Sequence, residues 1–111
     1  MRISLDRRLV LQSPAQISDG AGGFTQVWTD LGTLWGEVRA GTGRDVAGED
    51  VVLTSVALRI TVRGAEQGSV ARPRAGQRFR EGARLFPILA VTERDRGGLF
   101  LTCFAAEETP T

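Results

Sequence analysis

The chain has no histidine, no tyrosine and no lysine, and only one cysteine and one methionine among its 111 residues. Each absence removes a class of chemistry. Without histidine there is no side chain that titrates near neutrality, no Ser-His-Asp set, and no base to activate a cysteine nucleophile. Without lysine there is no GxxxxGK[ST] loop to cradle a nucleotide's phosphates. Carboxylates remain as the main metal-ligand type, and none of them falls at calcium-loop spacing. A lone Cys103 cannot close an internal disulfide, and in the alternating run Leu99 to Phe104 it reads as a small buried hydrophobe. No apolar run approaches the ~18 residues needed to cross a bilayer, and the N-terminus lacks a signal-peptide core. The expectation is a protein made and kept in the cytoplasm, with no membrane contact, no cofactor, no metal and no enzymatic activity.

What is present is arginine and glycine, fourteen of each. All the basic residues are arginine, which codon bias explains more simply than chemistry does. Thirteen acids offset them to a net charge of +1, so no chain-wide field draws the protein onto nucleic acid. A hydrophobic share of 41% against 24% charged residues suits a folded globular chain, and the length suits one domain spanning 1–111 with a single modest core.

The periodicity is that of strands. Arg8 to Ser13 reads as a first strand, ended or bent at an edge by Pro14, which cannot donate to a ladder. Asp19-Gly20-Ala21-Gly22-Gly23 can make a tight reversal. Phe24 to Asp30 and Leu34 to Ala40 then read as an antiparallel pair turning at Gly32. Val56, Leu58, Ile60 and Val62 alternate with Ala57, Arg59, Thr61 and Arg63, the cleanest half-buried strand in the chain. A short segment around Gln77 to Arg80 precedes Arg84 to Val91, and Asp95-Arg96-Gly97-Gly98 turns the chain into Leu99 to Ala105 as a closing hairpin. Six or seven short strands with regular turn signals predict an all-β fold, a small antiparallel barrel or sandwich. A barrel also removes the open edges that would seed aggregation. Trp28, Trp35, Phe79, Phe86 and Phe104 are the candidates to fill it, with Leu34, Val38, Leu58, Ile60, Ile88 and Leu101.

The ordered set of a leading strand (Leu5 to Gln12), a Gly-Gly turn, Trp28-Thr29-Asp30, then Trp35-Gly36-Glu37-Val38, resembles the head–tail joining proteins of long-tailed bacteriophages, the head-completion or stopper class. Gly43-Arg44-Asp45, Leu58 to Arg63 and Leu99 to Cys103 continue the resemblance, which spans roughly Leu5 to Glu107. It implies a β-barrel with a long loop after the early hairpin. It further implies a structural protein of the virion neck in a phage, prophage or gene-transfer particle, assembled as a homo-oligomeric ring. Six copies are favoured over twelve by the six-fold tail below. The implied partners are the portal-bound adaptor, the tail terminator or other tail proteins, and the packaged double-stranded DNA that passes through the channel.

Two segments are candidate sites. Gly41, Thr42, Gly43, Arg44, Asp45, Val46, Ala47, Gly48, Glu49 and Asp50 carry both charge signs and no buried face, and read as a long exposed loop. The resemblance implies that this loop projects into the channel and helps to retain DNA, with Asp45, Glu49 and Asp50 repelling the phosphates. Arg72, Arg74, Arg78, Arg80 and Arg84 place five arginines in a short span. They read as a solvated stretch, as a contact for acidic surfaces on a neighbouring ring, or, in an alternative reading of the protein as a small nucleic-acid-binding barrel, as a track for a phosphate backbone.

Overall fold

The alternation of the sequence is satisfied by one antiparallel sheet of six strands that closes on itself in the order β1-β2-β3-β6-β5-β4. The computed structural model describes residues 2–41 and 55–108, and no helix occurs among them. The strands are β1 (Arg7–Ser18), β2 (Phe24–Ala40), β3 (Ser55–Arg63), β4 (Arg78–Glu81), β5 (Arg84–Glu93) and β6 (Phe100–Glu108).

The core lies inside the ring. Leu9 and Leu11 of β1, Leu58, Ile60 and Val62 of β3, Phe79 of β4, Phe86 and Ile88 of β5, and Leu101, Cys103 and Ala105 of β6 are all buried there. Leu31, Leu34, Val38 and Val91 pack against them. Inward and outward residues alternate as the pleat requires, except where the register shifts between Leu11 and Gln12 and between Ile88 and Ala90. Burial pushes the Cys103 thiol up to about 12, so it stays protonated and inert at neutral pH.

Two expectations fail and one holds only in part, each for a physical reason. Phe24 to Asp30 and Leu34 to Ala40 do not pair with each other; they are one strand, β2, both halves of which pair with β1. The reversal expected at Asp19 to Gly23 is the one that joins β1 to β2, and there the Asp19 backbone N–H donates to the Gly23 carbonyl at 3.1 Å. What looked like a turn at Gly32 is a bulge. Leu11 faces Gly32 and Gln12 faces Asp30, so Leu31 is an extra residue in β2. Pro14 does not end β1 but lies at an edge, the other place the sequence allowed for it. β4 pairs with β1 only from Val10 to Gln12, so at Pro14 the strand has an open edge and the missing N–H costs no ladder bond there.

The aromatics are the third correction. Phe79 and Phe86 fill the core, but Trp35 is 54% exposed, and Trp28 and Phe104 are half-buried on the outer face. Inward positions of β2 are Leu34, Gly36 and Val38, so Trp35 between them must face out. Gly36 is inward because nothing larger fits: a Cβ there would lie 2.9 Å from Leu9 Cδ1 and 3.1 Å from the Thr61 carbonyl oxygen.

The register sorts the connections between two ends. The β1–β2 hairpin, the 64–77 connection and the 94–99 turn lie at one end. The β4–β5 turn at Gly82, Gly41 after β2 and Ser55 at the start of β3 lie at the other. That second end is closed by a network of four ionised side chains. Arg7 makes a two-pronged contact with Glu81 at 2.6 and 2.7 Å, and Arg84 does the same with Glu107 at 2.7 and 2.9 Å. Arg84 also lies 3.6 Å from Glu81, which links the two pairs.

These arginine hydrogen bonds hold the Glu81 and Glu107 carboxyls below the usual carboxylate range. A depressed carboxyl pKa stabilises the fold above its unfolded value of 4.5 and loses that contribution as the pH falls through the lower folded value. Urea midpoints are therefore expected to drop on acidification below about pH 4.5. The Glu81→Gln, Glu107→Gln double variant should be less stable at neutral pH and show a shallower drop. An acid profile unchanged by the double variant would remove the network from the account.

Candidate interaction site

The β1–β2 hairpin does not stop at the barrel. Past Gln12 on β1 and before Leu31 on β2 the two strands pair only with each other, forming an arm about 20 Å long at the usual rise per strand residue. The molecule accordingly measures 53 × 34 × 24 Å. The tip is tied by Asp19, whose Oδ1 accepts from the backbone N–H groups of Ala21 at 2.8 Å and Gly23 at 3.0 Å. Those bonds hold the Asp19 carboxyl below its ordinary range, so it is ionised at neutral pH. Gly20 and Gly22 take positive φ of 79° and 87°, which only glycine adopts without strain. Phe24, beside this turn, is 69% exposed, and Ile17 on the opposite face of the arm is 53% exposed.

A polar chain fastens the root of the arm to the barrel. The Arg78 guanidinium stacks 4.0 Å from the centre of the Trp28 ring and donates from Nε to Gln12 Oε1 at 2.7 Å. Gln12 Nε2 in turn donates to Asp30 Oδ1 at 2.7 Å, and Arg80 approaches Asp30 at 4.0 Å. Partial burial under Trp28 lowers the Arg78 pKa, though not enough to discharge a guanidinium. Trp28, expected inside the barrel, is therefore the platform on which β4 grips the arm.

Beside the root lies an apolar cavity of 230 Å³, lined by Leu11, Leu31, Gly32, Thr33 and Leu34 from the strands and by Ser69, Val70 and Ala71 from the 64–77 connection. A second cavity shares Leu31, Ser69 and Val70 with it and adds Arg72, Arg74 and Gln77. The two cavities adjoin through Leu31, Ser69 and Val70, so the arginines lie in the cavity next to the apolar one.

The five arginines singled out in the sequence do not form one track. Arg78 and Arg80 share the outer face of β4. Arg84 points into the opposite end with Glu107 and Glu81. Arg72 donates to the Ala65 carbonyl at 2.8 Å, which pins the 64–77 connection, and Arg74 stands exposed in the lining of the second cavity. Of the candidate channel loop Gly41 to Asp50, only Gly41 falls within the described residues; its N–H donates to the Ala57 carbonyl at 2.8 Å.

A further arginine group was not singled out in the sequence. On the outer face of β2, β3 and β6, Arg39 stands directly opposite Arg59, and Arg59 opposite Phe104. The Arg59 guanidinium lies 5.7 Å from the Phe104 ring centre, and Arg63 lies 5.9 Å from that of Phe100. Arg39, Arg59 and Arg94 line a 460 Å³ groove with Thr61, Thr92, Thr102, Glu93 and Phe104. Glu37 moderates its charge, accepting from Arg39 at 2.9 Å and from the Ser4 backbone N–H at 2.9 Å. The alternation of Arg59 and Arg63 with an apolar face was the signal for this surface.

Compared with known proteins, residues 1–108 match the family described as phage head completion protein. The chain belongs to that family. It is a family of structural virion proteins, not of enzymes, and the resemblance carried by the Gly-Gly turn and the two tryptophans holds at that level. A chain in the virion of a native gene transfer agent (GTA) particle is 53% identical, with a TM-score of 0.80 over 99% of this chain and 100% of that one. A protein from Shigella flexneri 2a, solved in solution, shares the fold with a TM-score of 0.66 at 21% identity, over 93% of this chain and 92% of that one. No curated protein matches significantly. Head completion is a matter of contacts, so the arm, the cavity at its root and the arginine-bearing face are the features to be weighed, in place of a catalytic centre.

Proposed function

We propose that the protein is a neck component of a phage, prophage or gene-transfer particle, forming a ring between the portal-bound adaptor and the tail and helping to retain packaged double-stranded DNA. The observation that carries this reading is the 53% identity, over nearly the whole length, to a chain that is part of a GTA virion. An open-edged arm with an apolar tip and a closed, well-filled barrel also suit a subunit built for neighbours. The arginine-bearing face, with Arg39, Arg59, Arg63 and Arg94, suits an acidic surface on an adjacent ring or the phosphates of DNA. Particles made without the protein are expected to carry unjoined heads and tails and to leak DNA. Particles that join and retain DNA normally without it would sink the reading.

In the same proposal the segment Gly41 to Asp50 faces the channel, where Asp45, Glu49 and Asp50 repel the DNA backbone. Both flanking strands are anchored in the barrel at the end opposite the arm. Shortening the segment to an Asn-Gly turn is therefore expected to leave the melting temperature nearly unchanged, because closure entropy varies slowly with length. Particles carrying the shortened protein are expected to form necks yet release DNA under milder stress. Normal retention would take the segment out of the channel and leave it a surface loop or a docking element for the adjacent ring.

A further inference from the structure

We propose that the arm of one copy seats Phe24 in the apolar cavity at the arm root of a second copy, with Asp19 at the tip meeting Arg72 and Arg74 of the adjoining cavity. The proposal rests on the ring reading above and specifies which parts of the chain make its subunit contact.

Four observations converge on it. The first is that Phe24 is 69% exposed at the far end of a two-stranded ribbon, and such a ribbon is only marginally stable in water unless it packs on something. The second is fit. A cavity of roughly 150 Å³ takes a benzene ring, and the cavity at the root measures 230 Å³ with Leu11, Leu31, Leu34 and Val70 on its walls. The third is charge. Asp19 belongs to the turn immediately before Phe24, and Arg72 and Arg74 line the adjoining cavity with Val70. An acid beside the aromatic at the tip matches the bases of the adjoining cavity, of which Arg74 is exposed and Arg72 is bonded to the Ala65 carbonyl.

The fourth observation excludes the chain's own arm. Phe24 lies seven residues up β2 from Leu31, about 23 Å at strand rise, and the Arg78–Trp28 stack with the Gln12 and Asp30 bonds holds the ribbon straight out from the barrel. The tip cannot fold back onto its own root. A second copy can present its cavity to it, and that contact joins two different patches, tip to root. Repeated around an axis, such a heterologous contact closes into a ring when the rotation permits.

The test is cysteine cross-linking in assembled particles carrying Phe24→Cys and Val70→Cys together. Both positions are exposed, and the native Cys103 is buried and protonated, so it does not compete. A disulfide needs the two Cα atoms within about 7 Å, so it forms only where tip and cavity meet. Mild oxidation is expected to give a ladder of covalent oligomers of this chain that collapses to monomer on reduction, while each single variant gives no ladder. Particles that contain the double variant but yield only monomer overturn the proposal. So does cross-linking of the Phe24→Cys variant into a different virion protein.

Phe24→Ser supplies a second measurement that does not depend on disulfide geometry. It is expected to leave the circular dichroism and melting temperature unchanged and to lower incorporation into particles several-fold without abolishing it, as for Phe24→Cys alone, and undiminished incorporation overturns the contact. Labelled protein located by electron microscopy separates this inference from the neck reading. A ladder from protein found elsewhere in the particle keeps the contact and removes the neck, whereas neck protein without a ladder does the reverse.

Discussion

Replacing Phe79 with alanine is expected to destabilise the protein by about 3–5 kcal/mol, read as a fall in the urea midpoint at unchanged slope. Phe79 is fully buried at the centre of the barrel wall, with Leu11 opposite it on β1 and Phe86 opposite it on β5. β4 has four residues and Phe79 is its only buried hydrophobic one, so no neighbouring side chain on that strand can collapse into the space. A domain of this size is held by about 5–15 kcal/mol in total, so the variant would sit close to the folding threshold. The matching control is Trp35→Ala. Trp35 is the larger side chain, yet it is 54% exposed on the outer face, and its removal should cost about 1 kcal/mol or less. Equal losses from the two substitutions would mean that Trp35 packs against something the isolated chain supplies, and that the inward parity of β2 is wrong.

That contrast also marks what the sequence made legible. Period-two alternation located β3 and its inward residues because each face of that strand is chemically pure, Leu58, Ile60 and Val62 against Arg59 and Arg63, whereas β5 and β6 also carry Leu89, Phe100 and Phe104 outside the core. Alternation failed where residue size competed with parity. Trp35 and Leu34 cannot both point inward in one strand, and the glycine between Trp35 and Glu37 was the better guide, since an inward Gly36 marks close approach by Leu9 and Thr61. The bulge at Leu31 was hidden for a related reason. Gly32 is equally consistent with a turn and with a bulge, and only the partner strand decides between them. The arm was not visible because its residues alternate as well as any barrel strand does. Its exposure follows from β3 and β4 reaching only part of β2 and β1, and partner length is not written in the strand itself. The arginines were visible as a cluster in sequence, but their parity scattered them: Arg78 and Arg80 face outward while Arg84 turns to Glu107.

Gly64→Ala is the second large effect expected, and it bears on the proposed contact as well as on the fold. Gly64 follows β3 and begins the connection that carries Val70, Arg72 and Arg74. Its N–H donates to the Leu99 carbonyl at 2.8 Å, which draws the connection against the β5–β6 turn. A Cβ at this position would fall on the Gly98 carbonyl oxygen, inside any permissible contact, with the Gly98 and Leu99 carbonyl carbons at 3.1 and 3.2 Å. These are backbone atoms, and they cannot swing aside. Asp95 fixes that turn by accepting from the N–H groups of Gly97, Leu99 and Phe100 at 3.1, 3.0 and 2.8 Å. The substitution is therefore expected to cost about 1–3 kcal/mol or more, because either the Gly64–Leu99 bond or the Asp95 turn must give way. Gly97→Ala, in the same turn, should go the other way. A Cβ there meets nothing closer than Asp95 Oδ2 at 3.5 Å, and Gly97 is not among the positive-φ glycines. Restricting the unfolded chain should then stabilise by up to about 1 kcal/mol. Displacement of the connection in Gly64→Ala would also move Val70 away from Leu31 and Leu34. The cross-link between Phe24→Cys and Val70→Cys should consequently weaken in that background and persist with Gly97→Ala. An undiminished cross-link in a destabilised Gly64→Ala background would show that the strain is absorbed in the β5–β6 turn and never reaches the cavity wall.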